Sequence, residues 1–141
     1  MLVPDANVLL YAVNSSVPQH ITALTWLDDA LSGSQAVGLA WVGLLAFLRI
    51  STRPGILPNP LPVDDALDVV DGWLAAPPAV VLQPGRQHLG ILRTLLAGSG
   101  TGGNLTSDAH LAALAVEHGA ELWSFDRDFA RFPGLAFRHL G

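Results

Sequence analysis

The sequence predicts an α/β fold, with a mainly parallel central sheet of four or five strands and helices on both faces. Short apolar runs of strand length alternate with longer runs of helical spacing along the whole chain, the order that βαβ units leave in a sequence. Asp5 and Asp126 lie close behind two of the strand-like runs, where open parallel sheets build their sites, outside the carboxyl ends of the strands. Half of the 141 residues are apolar and only 13% are charged, ample material for a core on two sides of a sheet. The length suits one domain over residues 1–141.

The first strand is expected at Met1–Pro4, followed at once by Asp5 and a helix through Asn7 to Val13. Pro18 opens the next helix, since proline suits a first helical turn. That helix carries Ile21, Leu24, Leu27 and Leu31 as an apolar stripe and stops at Gly33. Ala36–Leu39 reads as a buried strand and Trp41–Ser51 as a largely apolar helix. Four prolines between Arg53 and Pro62 block regular structure. A helix from Val63 to Ala75 has acidic residues in its first turn, where the helix dipole favours them, and Pro77 and Pro78 end it. Ala79–Leu82 is the next strand and Arg86–Ala97 the next helix. A glycine-rich loop, Gly98–Gly103, precedes a helix capped by Thr106 or Ser107 that reaches His118, with Gly119 as its stop. Glu121–Ser124 is a strand, Asp126–Arg131 a helical turn, and Leu135–Arg138 a last strand.

Composition excludes several classes. There are no cysteines, so disulfides and thiolate sites are ruled out and a cytoplasmic location is the default. No apolar run reaches the ~20 residues of a membrane helix, and no basic n-region of a signal peptide precedes Leu2 and Val3. The formal net charge of −5 provides no overall basic footprint for nucleic acid. Any such contact must be local or supported by metal. All 7 basic residues are arginines, so chemistry that needs a lysine is unavailable. The low charged fraction also favours a stable partner or a homodimer.

Asp108 completes an acidic constellation with Asp5 and Asp126. It shares a helix face with Leu111, Ala112 and Ala115, at spacings of three, four and seven. An inward-packing face of that kind aims the carboxylate at the sheet edge, where it needs a cation or donors. Carboxylates gathered together repel unless a cation compensates, and Mg²⁺ or Mn²⁺ is the hard ion that carboxylate and water oxygens suit. Metal held there would activate a water for phosphodiester hydrolysis. Each aspartate taken alone also fits a cap or turn role.

The stretches VPDANVLLYAV, GNLTSDAHLAALAVEHGA and LWSFDRDFARFPGL resemble the PIN-domain ribonucleases, in particular the VapC-type toxins of bacterial toxin–antitoxin pairs. WVGLLAFLRISTRPGI, GWLAAPP and PGRQH resemble one branch of them. The resemblance runs over essentially the whole chain. It implies a parallel sheet flanked by helices, Mg²⁺ or Mn²⁺, an RNA substrate, a homodimer, and an antitoxin that blocks the groove. It assigns Asp5, Asp108 and Asp126 as catalytic metal ligands. It also assigns Ser124 as a small hydroxyl position, Asn7 as a hydrogen-bonding neighbour of Asp5, and Asp128 as a residue that reaches the site through water or supports its loop.

One position departs from the family. A glutamate usual in the third helix aligns with Ala46, which weakens any second metal site. Arg49 lies one turn beyond on the same face. It is expected to pair with an aspartate or a substrate phosphate, against the alternative of a structural salt bridge. Arg127, with Arg53, Arg86, Arg93 and Arg131, is a candidate for a local strip where an RNA backbone could settle. The five histidines have no metal-ligand spacing. A degenerate domain that binds RNA or antitoxin without efficient cleavage is the alternative reading. A phospho-acceptor domain lacks its lysine here, and a haloacid-type phosphatase would need a second carboxylate where the chain reads DAN.

Overall fold

The computed structural model describes residues 1–99, 103 and 105–141. Strands β1 (Leu2–Pro4), β2 (Val37–Leu39), β3 (Ala79–Val81), β4 (Glu121–Ser124) and β5 (Ala136–His139) form one sheet in the order β3-β2-β1-β4-β5. Every neighbouring pair is parallel. The helices are α1 (Ala6–Val13), α2 (His20–Leu31), α3 (Trp41–Ser51), α4 (Val63–Ala75), α5 (His88–Ser99) and α6 (Leu105–Glu117), with a short 3-10 helix at Arg127–Arg131.

The first strand of the chain is the middle strand of the sheet. Leu2 pairs with Val37 on one side and Glu121 on the other. Successive strand residues point to opposite faces, so β1 feeds two cores. Val3 and its register partner Leu122 pack under α5, α6 and the 3-10 helix, with Leu95, Leu114 and Phe129. Leu2, Val37 and Leu39 pack under α1 to α4, with Leu9, Leu27, Leu44 and Phe47. Phe47 and Leu44 are wholly buried, and each such side chain contributes roughly 1.5–3 kcal/mol by leaving water.

Several boundaries differ from the sequence expectation. In α2 the stripe is shifted: Ile21 is 69% exposed, while Ala23, Leu27 and Ala30 are buried. Small side chains there let α1 and α2 approach closely, and the core takes that face instead. The helix also begins at His20, not at Pro18. Helix α5 continues through Gly98 and Ser99, so the expected glycine-rich loop starts later. Gly100, Thr101 and Gly102 lie outside the described residues, whereas Gly103 has φ +60. Helix α6 begins at Leu105, which places Thr106 and Ser107 inside its first turn and not at the cap. Gly119 has φ +63, the left-handed geometry expected of a helix stop.

Candidate active site

Asp5 follows β1 directly and caps α1. Its Oδ1 accepts from the Ala6 amide at 2.7 Å, satisfying a donor at the helix start. Its own amide donates to Trp123 O at 2.9 Å, so the β1–β4 ladder runs up to the carboxylate and fixes where it sits. Ser124, the last residue of β4, is wholly buried. Its hydroxyl donates to Asp5 Oδ2 at 2.8 Å and accepts from Asn7 Nδ2 at 3.1 Å and from the Asp126 amide at 3.0 Å. One donor and two lone pairs are thereby all used. Asn7 Oδ1 in turn accepts from the Phe125 amide at 3.3 Å, tying α1 to the segment after β4.

Asp126 caps the 3-10 helix, its Oδ1 accepting from the Asp128 amide at 2.9 Å. Asp128 is exposed and pairs with Arg131 at 3.2 Å, while Arg131 Nε also donates to the Asp128 carbonyl at 3.0 Å. These contacts hold Asp128 to the 3-10 helix, and its charge also acts on Asp108. Asp108 stands in the first turn of α6, where the dipole favours a carboxylate. Leu111, Ala112 and Ala115 behind it are buried, as its spacing required.

A cleft of about 180 Å³ opens between α1, α3 and α6, lined among others by Asp5, Gly43, Ala46, Arg49, Ser107 and Asp108. Burial pushes the Asp5 carboxyl up to about 6. The bonds from Ser124 and Ala6 pull it down, and the charges of Asp108 and Asp126 push it further up. Asp108 is also held above the ordinary carboxylate range, first by burial and then by Asp126, with Arg131 acting in the opposite sense and Asp128 adding to the rise. The three aspartates thus feel one another electrically. Asp126 does not line the cleft as Asp5 and Asp108 do, and it meets them through its charge.

The donor set suits a hard divalent ion, because it consists of oxygens and carries negative charge that burial leaves uncompensated. Among the described residues no group of three or more histidine, cysteine, aspartate or glutamate side chains is arranged to hold a metal. An ion here would take one or two carboxylates and complete its shell with water, the usual habit of Mg²⁺.

Arg49 lies in the last turn of α3, exposed, on the cleft wall. Among the described residues it makes no ion pair: the pairs within 4.0 Å are His88–Glu117, Arg131–Asp128 and Arg138–Glu121. The expected pairing with an aspartate is therefore not formed. Arg127 is exposed at the start of the 3-10 helix. Of the arginines in the expected strip, Arg131 lies near enough to Asp108 for its charge to act on that carboxyl. Arg86 sits between residues whose amides are gripped by Glu117, and Glu117 lies nine positions along α6 from Asp108, about 14 Å of helix rise. Ser107, read from sequence as a cap, turns out to line the cleft. Its place beside Asp108 was the available signal.

A second polar cluster lies between α5 and α6. Glu117 accepts from the Gly85 and Gln87 amides at 2.7 and 3.0 Å. His88 Nε2 lies 2.8 Å from His110 Nδ1, and His88 Nδ1 lies 4.0 Å from Glu117. Burial and the neighbouring His88 hold His110 below its ordinary value.

The chain belongs to the PIN-domain family, whose model matches residues 2–135. Within that family its similarity is to VapC proteins. It is 55% identical to Ribonuclease VapC37 of Mycobacterium tuberculosis over 135 residues, covering 96% of this chain and 94% of that protein. Ribonuclease VapC33 of the same species is 44% identical over 135 residues, with the same coverage of both chains. Among solved structures, the sarcin–ricin loop cleaving toxin VapC20 of M. tuberculosis superposes with a TM-score of 0.69 at 15% identity, over 96% of this chain and 98% of that one. VapBC-1 from nontypeable Haemophilus influenzae gives 0.70 at 14% identity, over 99% and 97%. The fold expected from sequence is the fold observed.

Proposed function

We propose that the chain is a metal-dependent endoribonuclease, the toxin of a toxin–antitoxin pair, in which residues 1–141 act as one domain. The observation that carries this reading is the cleft itself. Two buried-edge carboxylates from distant parts of the chain, Asp5 and Asp108, face one space, with Asp126 coupled to both. Asp5 and Asp108 are the residues to hold Mg²⁺ or Mn²⁺, with Asp126 completing the acidic set. A bound ion would lower the pKa of a water and offset charge on a phosphate. Ser124 and Asn7 keep the Asp5 carboxylate aimed by fixing one oxygen, and Arg127 offers a charge to the RNA backbone. VapC relatives named as ribonucleases and solved VapBC assemblies support the nuclease and antitoxin parts of the reading.

The homodimer is assigned to the exposed apolar positions Ile21 on α2 and Trp41 and Leu45 on α3. No helix among the described residues is long and apolar enough to cross a membrane, and we place the protein in the cytoplasm.

The test is cleavage of total bacterial RNA by purified protein with Mg²⁺ or Mn²⁺, against chelator and against Asp108→Asn. Discrete fragments that vanish in both controls are expected. Fragments that survive chelation would refute metal dependence. One observation favours a second reading: Ala46 lines the cleft where the family carries glutamate. No cleavage by folded protein, with RNA binding retained, would establish a domain that binds without cutting.

A further inference from the structure

The wall of the cleft formed by α3 is short of one negative charge and carries one positive charge with no partner. Ala46 presents only a methyl group there, and Arg49, three residues on and so on the same helix face, lines the same cleft. The guanidinium is exposed and, among the described residues, is paired with no carboxylate. An unpaired cation and two acidic groups lining one cleft of about 180 Å³ suit a species that is itself anionic and metal-binding. A phosphodiester fits that description.

Two-metal phosphodiesterases clamp the attacking and leaving oxygens between two ions. Here the described residues provide no carboxylate on the α3 wall to hold a second ion, and no cluster of three ligand-type side chains anywhere. Resting on the nuclease reading above, we propose that Arg49 replaces the second cation: one divalent ion sits on the Asp5–Asp108 side, and the Arg49 guanidinium binds the scissile phosphate of the RNA from the α3 side. The two parallel N–H donors of a guanidinium match two phosphate oxygens. The guanidinium of Arg49 is a donor only and accepts no hydrogen bond. Its charge offsets that of the phosphate as water adds to phosphorus and the bond from phosphorus to the leaving ribose oxygen breaks, the water losing a proton to solvent and the leaving oxygen taking one up from solvent.

The experiment separates this role from catalysis by the loaded protein. Binding of a short fluorescent single-stranded RNA is measured by anisotropy in chelator, over a range of salt, for wild type, Arg49→Ala and Arg49→Lys. Arg49→Ala is expected to weaken binding about tenfold and to lower the salt slope by about 0.7. Arg49→Lys is expected to recover the slope but not the full affinity, because ammonium cannot reproduce the fork. Mn²⁺ titration by calorimetry is expected to give one ion per wild-type chain and two for Ala46→Glu. That variant should also bind RNA more weakly in chelator, since the new carboxylate pairs with Arg49. Unchanged RNA affinity and slope in Arg49→Ala, or two ions per wild-type chain, would overturn the proposal. Cleavage by the wild type is scored separately: loss of binding in Arg49→Ala without any cleavage by wild type supports the phosphate contact and removes the nuclease reading.

Discussion

Ser124 Oγ donates a 2.8 Å hydrogen bond to Asp5 Oδ2, joining the ends of two adjacent parallel strands. The same hydroxyl accepts from Asn7 and from the amide of Asp126, so one oxygen sets the positions of three polar groups around the cleft.

Removing that hydroxyl should be felt at once. Ser124→Ala leaves the Asn7 amide and the Asp126 N–H without their acceptor in a buried place, which costs about 1–3 kcal/mol. It also removes a bond that holds the Asp5 carboxyl down, so the carboxyl rises further and divalent ions bind more weakly at neutral pH. Urea unfolding and Mn²⁺ titration of the variant measure the two effects. Wild-type stability in Ser124→Ala would show the network to be dispensable.

In chelator, the contribution of Asp5 to stability should fall as pH rises from about 4 to about 6. Asp5 has its ordinary value of 3.8 in the unfolded chain and about 6 in the folded one. Between those values the folded state keeps a proton that the unfolded state releases, so raising the pH favours unfolding. The effect is bounded at about 3 kcal/mol, and Asp108 acts in the same direction. The measurement is the unfolding free energy against pH for wild type minus that for Asp5→Asn, where the contributions of other groups cancel. A flat difference contradicts the prediction. Saturating Mg²⁺ should lift the wild type most at pH 7, because ligand binding to the folded state adds stability.

Glu117→Ala should destabilise without touching the cleft. The carboxylate holds the Gly85 and Gln87 amides, and their release costs about 1–2 kcal/mol at a site water can partly reach. Cleavage at 25 °C is expected to stay at the wild-type rate, since Glu117 lies at the far end of α6. A drop in rate at a temperature where the variant is folded would link the two ends of the helix.

Gly38→Ala tests the packing of β2. A Cβ at that position would lie 2.8 Å from Leu82 Cδ1 and 3.0 Å from Met1 Sδ. Forcing a methyl into that space costs about 1–3 kcal/mol, to be read as a lower midpoint in urea with an unchanged m-value.

The order of elements was legible because prolines and glycines punctuate this chain sharply, and because β2 reads as a continuous apolar run. Asp5 and Asp126 could be placed at the sheet edge from their positions behind strands alone. The errors fell where local preference competes with packing. In α2 the expected stripe kept Leu27 and Leu31 against the core but lost Ile21 to solvent, while Ala23 and Ala30 joined the buried face. Thr106 and Ser107 look like caps, yet α6 starts ahead of them at Leu105. The hydroxyl hub at Ser124 and the contact between His88 and His110 depend on residues 117 and 22 positions apart, and no local pattern encodes either.

The central place of β1 has a further consequence for synthesis. The Asp5–Ser124 bond spans 119 residues, and β1 lacks one of its two neighbours until β4 emerges. A nascent chain released before Ser124 has an incomplete sheet and no assembled acidic edge. Premature termination before that point therefore leaves Asp5 without both the neighbouring strand and the hydroxyl that fix its carboxylate.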